Sequence, residues 1–419
     1  MEKSSNKRGW IVVFSGMCLN LALGVLYAWS VFGKQFTEAI DKGGFGWSKT
    51  EAALPYTIAI AFFAIMMVPA GRLQDKIGPK FVATAGAVLT AAGLIVTSFA
   101  TPDNILPALI GFGVMAGTGF GLGYAAATPA AIKWFPAEKK GLITGIVVSG
   151  FGLAPVYIAP LSKYLLSNYG INNSFRMLGI AFAFVTIFVS QFIINPTMPK
   201  VAGKNTTTSI LTRKDFSWDE MMRTSSFYLL WLEYACAATA GLMIIGHLAK
   251  IVSVQSGNTI KIGFVFVALL AIFNAAGRLL AGIVSDKIGR IKTIFLVCVT
   301  QAVVMFLFSK FSTIAQFTVG SAVVGFSYGA CLSLFPSTTA DYWGTKNLGF
   351  NYGIIFTAWG VGGVFGPLLA GKIADLHGNY NMAYLIASGL MLFAAALTFV
   401  TKAPVRTLEK ELAEEGELA

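Results

Sequence analysis

Gly71-Arg72-Leu73-Gln74-Asp75-Lys76-Ile77-Gly78-Pro79-Lys80 and Gly282-Ile283-Val284-Ser285-Asp286-Lys287-Ile288-Gly289-Arg290 are two versions of one pattern. Each has a glycine, an aspartate four positions on, a lysine beside it, and a second glycine after one apolar residue. Each also closes a long apolar run. A single copy would read as a tight polar turn between helices. The second copy lies at the matching place half a chain later, and a second pair of segments repeats in the same order. Trp134-Phe135-Pro136-Ala137-Glu138-Lys139-Lys140-Gly141-Leu142-Ile143-Thr144-Gly145 is echoed by Tyr342-Trp343-Gly344-Thr345-Lys346-Asn347-Leu348-Gly349-Phe350-Asn351-Tyr352-Gly353. Two patterns in register imply a duplicated unit, and parallel duplication of membrane helices is a transporter architecture.

The composition agrees. Of 419 residues, 56% are apolar and 12% charged, the balance of a polytopic membrane protein. Apolar runs of about 20 residues, each able to cross a hydrocarbon core of ~30 Å, fall at Trp10–Gly33, Glu51–Gln74, Phe81–Ala100, Ile105–Ile132, Gly141–Leu165 and Phe175–Ile194. They continue at Ser226–Val252, Ile260–Val284, Thr293–Phe308, Ile314–Ser337, Leu348–Ala374 and Met382–Thr401. The expectation is an all-α membrane protein with twelve transmembrane helices in two pseudo-symmetric six-helix bundles. Its parts are residues 1–195, a cytoplasmic linker 196–223, residues 224–403 and a cytoplasmic tail 404–419.

The first run is too long and too glycine-rich for a cleavable signal, so it is expected to stay in the membrane. Lysine and arginine concentrate in cytoplasmic loops, and most of the 31 basic residues fall on one side if both termini are cytoplasmic. That accounts for the net charge of +12 without nucleic acid. Cys18, Cys236, Cys298 and Cys331 stand singly in apolar runs, without metal-ligand spacing, so neither metal nor cofactor is expected. No H-E-x-x-H or paired intramembrane carboxylates suggest an enzyme.

Arg278 interrupts the apolar run Ile262–Val284. A guanidinium keeps its proton, and placing it at bilayer depth costs ~3 kcal/mol or more, so it needs an anion or a wet cavity. Asn274, four residues earlier, shares its helix face. A small carboxylate substrate fits that requirement, since a planar guanidinium donates two parallel hydrogen bonds to it.

The doubled G-x-x-x-D-[RK]-x-G-[RK] loop resembles the signature of the major facilitator superfamily, and the resemblance covers nearly the whole chain. Finer likenesses point to its oxalate/formate antiporter and monocarboxylate branch. Asp41-Lys42-Gly43-Gly44-Phe45-Gly46-Trp47 resembles a monocarboxylate transporter signature, with Lys42 where an acid belongs. Trp134 to Gly145, Arg223 to Trp231, and Phe273 to Arg278 resemble segments of the bacterial oxalate/formate antiporters. In this branch the arginine matching Arg278 binds the substrate carboxylate, and the position of Asn274 carries a proton-linked aspartate in animal relatives. Oxalate transporters place a lysine in the eleventh helix where this chain has Trp359. One cation beside an aromatic wall suits a monoanion with a small apolar tail, because a second carboxylate would be left unpaired.

The resemblance thus implies a proton-coupled carrier of L-lactate or pyruvate type working by alternating access. An oxalate/formate-type anion exchanger is the alternative, and a sugar or drug carrier of the same fold is the remote one. Tyr124, Tyr328 and Tyr27 are further candidates for the substrate site, against an ordinary role at helix contacts. His247, Glu233 and Lys372 are candidates for proton coupling or gating, against a plain interface histidine and a snorkelling lysine. Gly71, Asp75, Gly78, Gly282, Asp286, Gly289 and Arg290 are expected to form a cytoplasmic latch that breaks and reforms as the halves rock. The partners implied are a small carboxylate anion, a proton or counter-anion, and the lipid bilayer. A monomer in a prokaryotic inner membrane is expected.

Overall fold

Helices make up nearly all of the computed structural model, which describes residues 2–196, 215–260 and 262–404. Most of the expected linker and nearly all of the expected tail lie outside the described residues. Among those residues no strand forms, and a lone bridge joins Thr101 to Asn104.

The helices are α1 (Glu2–Leu23), α2 (Trp29–Thr37), α3 (Lys49–Ile77), α4 (Pro79–Thr97), α5 (Leu106–Ala108), α6 (Gly117–Ile132), α7 (Lys140–Ser190), α8 (Trp218–Met222), α9 (Ser225–Ile245), α10 (Leu248–Gln255), α11 (Gly263–Ile288), α12 (Arg290–Phe308), α13 (Ile314–Trp343), α14 (Leu348–His377) and α15 (Asn381–Leu397). A 3₁₀ stretch, Gly24–Ala28, joins α1 to α2, and a π-helical stretch, Leu109–Ala116, joins α5 to α6. Ten helical stretches among the described residues are long and apolar enough to cross a membrane, and Asn381–Leu397 is a shorter apolar helix.

Two expected boundaries are corrected. The break expected between Leu165 and Phe175 is present but confined to one non-helical residue, Gly170 (φ 71°, ψ 179°), where two helices meet within the 51 residues of α7. Glycine alone adopts that conformation cheaply, so one residue turns the chain. The Asn172 amide then donates to the carbonyls of Ser98 and Ala100 at 2.7 and 2.8 Å, tying the turn to the end of α4. The seventh run, expected to reach Val252, stops at Ile245. His247 leaves helical geometry (φ −123°, ψ 1°) and α10 starts afresh.

Packing sets the site. α3 lies along α14, and the first half of α7 lies along α11; α1, α4 and α6 pack with α3 and α7, while α9, α12, α13 and α15 pack around α11 and α14. Small residues line these seams, as expected where lipid supplies no hydrophobic drive and close van der Waals contact holds helices together. A methyl on Gly282 would run into the Gly141 carbonyl, and one on Gly71 into that of Gly349. Large apolar side chains point outward instead, with Phe184 and Phe399 exposed by 76% and 73%, where lipid tails would cover them.

Candidate functional site

Arg278 lies on α11 where that helix meets α7. Its side chain is wholly buried. Nε donates to Asn274 Oδ1 at 2.8 Å, and Nη1 donates to the Val148 carbonyl of α7 at 2.6 Å. The pairing with Asn274 follows from their four-residue spacing, which stacks both side chains on one face. Gly152 makes room on the other helix, since a Cβ there would stand 3.1 Å from both Arg278 Nε and Asn274 Oδ1. The third nitrogen, Nη2, is buried without a partner. Buried donors are rarely left so, and none of the ion pairs among the described residues gives this guanidinium a carboxylate.

Aromatic side chains close around it. Tyr124, Tyr328 and Tyr352 lie within electrostatic reach of Arg278, and Tyr27, in the 3₁₀ stretch after α1, reaches Tyr124 and Tyr328. The Trp359 indole donates to the Tyr328 hydroxyl at 2.8 Å. Phe63 centres the wall, 5.5 Å from the Tyr124 ring and 5.3 Å from the Trp359 ring. Phe356 stacks on Trp359 at 4.9 Å, and Phe151 meets Tyr124 edge-on at 5.7 Å. The hydroxyls of Tyr124, Tyr234 and Tyr352 are buried and cluster with one another, Tyr352 lying between the other two. The structure therefore brings Arg278, Asn274, Tyr27, Tyr124, Tyr328 and Trp359 together. It adds Phe63, Phe151, Phe356, Tyr234 and Tyr352, which the sequence reading did not single out as site residues. Tyr352 lies in the repeated segment, where Thr144 stands in the other copy and only the following glycine recurs; the phenylalanines had no signal among 34.

The two repeated loops meet at one end of the bundle. Asp75, at the end of α3, accepts from the Phe350 amide of α14 at 2.9 Å and pairs with Lys133 at 3.2 Å. Asp286, at the end of α11, accepts from the amides of Gly141 and Leu142 at 2.8 Å each, at the start of α7. Each aspartate thus sits at the amino end of a helix from the other repeat, where unpaired amides and the helix dipole favour an anion. Arg290 pairs with Asp286 at 2.7 Å and Asp341 at 2.8 Å, and Lys140 joins Asp341 at 3.1 Å. Gly78 and Gly289 have φ of 95° and 99°, so these glycines serve the turn. Gly71 and Gly282 serve the close approach.

Comparison with known proteins decides the family. The Major Facilitator Superfamily model matches residues 9–306 and 235–418. The chain belongs to the major facilitator superfamily. It is 30% identical over 410 residues to the oxalate:formate antiporter of Oxalobacter formigenes, covering 96% of this chain and 94% of that one. It is 25% identical over 399 residues to monocarboxylate transporter 13 of Rattus norvegicus, covering 92% and 86%. Among solved structures it resembles FucP in the outward conformation, with a TM-score of 0.71 at 15% identity over 94% of this chain and 98% of that one. As a member of the superfamily it is an integral membrane transporter and not an enzyme.

Other polar residues of this superfamily member lie apart from Arg278. His247 Nε2 is 3.0 Å from the Pro367 carbonyl, and Nδ1 is 3.4 Å from the Tyr380 hydroxyl, at the end of the bundle opposite Asp75 and Asp286. Lys372 is exposed near the same end, on the last turns of α14. Glu233 is buried on α9 against Thr401. Trp29 is spent on packing, with its indole bonded to the Ala52 carbonyl at 2.8 Å and its ring 4.1 Å from Phe112. No group of histidine, cysteine, aspartate or glutamate among the described residues is arranged to hold a metal.

Proposed function

We propose that this chain is a secondary active carrier of small monocarboxylates, of L-lactate or pyruvate type, coupled to protons and working by alternating access around Arg278. The observation that carries the reading is Arg278 Nη2, buried and without a partner beside an aromatic cage. A carboxylate set against the guanidinium would take that free donor. The buried tyrosine hydroxyls would offer further hydrogen bonds to an α-hydroxyl or keto oxygen, and Phe63, Phe151 and Phe356 would cover a short apolar tail. Monocarboxylate transporter 13 lends the substrate class its support.

The proposed architecture is twelve membrane helices in two halves, residues 1–195 and 224–403, with linker 196–223 and tail 404–419. Splitting α7 at Gly170 and adding α15 to the ten long stretches supports that number. Both termini are placed in the cytoplasm of a prokaryotic inner membrane by the basic loops, and the protein is taken to work as a monomer. The Asp75 and Asp286 contacts would then be a cytoplasmic latch, closed in this conformation.

Exchange of oxalate against formate is the second reading, favoured by the relative at 30% identity. Trp359 weighs against it, because its indole is committed to Tyr328 and supplies no second cation. Uptake of labelled L-lactate into proteoliposomes, with and without an inward proton gradient and with unlabelled pyruvate, formate and oxalate as competitors, tests the choice. Gradient-stimulated uptake blocked by pyruvate but not by oxalate is expected. Uptake that ignores the gradient and requires internal formate or oxalate would make this an exchanger.

A further inference from the structure

Glu233 is an ionisable group deep in the helices that Arg278 does not engage. Its side chain is 0% exposed. One oxygen accepts a hydrogen bond from the Thr401 hydroxyl, and the other has no partner. The titratable groups that sense it are thiols: Cys236 from α9 itself, Cys298 from α12 and Cys331 from α13. No lysine, arginine or histidine forms an ion pair with it among the described residues. An ionised carboxylate there would lack both water and a counter-charge.

Its position connects it to both the substrate cage and one mouth of the bundle. The next residue, Tyr234, stacks on Phe335 at 4.1 Å and lies within reach of Tyr352 and Tyr124 beside Arg278. Adjacent residues of α9 therefore face two compartments, the aromatic cage and the thiol-lined interior. Glu233 stands eight residues inside α9, about 12 Å from the helix start at 1.5 Å per residue. Thr401 lies just beyond α15, and Ser226 at the start of α9 donates to the Lys402 carbonyl at 2.6 Å. The chain after α15 thus folds across α9 between Glu233 and the end of the bundle that carries Asp75 and Asp286.

We infer that Glu233 is a proton-binding site of this carrier, loaded in the present conformation and emptied when α9 moves against residues 398–404 and admits water. The step is a proton transfer alone: the carboxyl gives its proton to water, leaving a carboxylate and a hydronium ion, and reloading reverses it. The inference rests on the reading of Arg278 as a carboxylate site, because a proton on Glu233 offsets the charge of the anion as both cross. His247, hydrogen-bonded at the opposite end, and exposed Lys372 lack this combination of burial and an unsatisfied atom.

The test uses the full-length protein in proteoliposomes and labelled L-lactate in two modes, exchange against internal lactate and net accumulation under an inward proton gradient. Glu233→Gln keeps the shape and neutrality of the loaded acid, so exchange continues and accumulation is lost. Accumulation by Glu233→Gln at the wild-type level overturns the inference, as does a wild type whose accumulation ignores the gradient. Should the variant lose both modes, infrared difference spectra decide. A protonated carboxyl band present at neutral pH in wild type, shifted in Glu233→Asp and absent in Glu233→Gln, supports the site, and an ionised Glu233 overturns it. A wild type that exchanges no small carboxylate at all defeats the reading of Arg278 instead, and the spectra still judge Glu233 alone.

Discussion

Arg278→Lys keeps the charge and removes the fork. In the present geometry the guanidinium spends Nε on Asn274 and Nη1 on Val148, and has Nη2 left for a ligand. A lysine ammonium is a single point on a flexible stem and cannot hold Val148, Asn274 and a substrate carboxylate in these directions at once. The variant should forfeit one charge-assisted hydrogen bond, worth about 1.5–3 kcal/mol, and so weaken binding by about ten- to a hundredfold. Arg278→Ala removes the counter-charge altogether and should abolish binding. Equilibrium binding of labelled L-lactate to the purified protein measures both, with thermal melting in detergent as the control that the variants fold. A dissociation constant unchanged in Arg278→Lys, or measurable binding by Arg278→Ala with the same competitors, would refute the assignment.

Three further expectations concern glycines of the seams and of the turns. Gly152→Ala sets a methyl 3.1 Å from both Arg278 Nε and Asn274 Oδ1, so lactate affinity should fall while the melting temperature holds; an affinity equal to wild type would mean that this pair does not position the ligand. Gly282→Val drives a branched side chain into the Gly141 carbonyl and should bias the carrier away from the conformation seen here, read as faster labelling of Leu142→Cys by a membrane-impermeant thiol reagent. Gly289→Ala places a Cβ at φ 99° and should lower stability by about 1–3 kcal/mol, measured as a lower melting temperature, with Gly78→Ala behaving alike.

Much of the fold was legible because membrane helices announce themselves by length and because Asp75 and Asp286 recur with their glycines. The break around Gly170 was legible too, in the polar stretch Ser167 to Ser174 between two apolar runs, but its narrowing to a single residue was not. The end of α9 was missed because Leu248, Ile251 and Val252 carry the apolar pattern past the break, which comes from the backbone at His247. In the site, Arg278 and Asn274 stood out as polar residues in an apolar run. Their partner Val148 contributes a backbone carbonyl, which no side-chain pattern can reveal. Phe63, Phe151 and Phe356 are equally silent, because which face of one helix meets which face of another is decided by packing across the bundle.

One seam links the site to the end of the bundle that holds the aspartates. Along α7 and α11, Asp286 receives the amides of Gly141 and Leu142, Gly141 abuts Gly282, Gly145 abuts the backbone of Arg278, and Arg278 Nη1 holds Val148. These contacts are made by backbone atoms and by charge-assisted hydrogen bonds. Opening such a seam costs hydrogen bonds at about 1.5–3 kcal/mol each, partly returned by water at the exposed end. The two arrangements of the seam then differ by an amount that a ligand preferring one of them can tip. A carboxylate on Nη2 would alter the pull of the guanidinium on Val148 within the same helix pair that Asp286 fastens two turns away. On the proposed reading of Arg278, binding and closure would be coupled through this short run of backbone contacts.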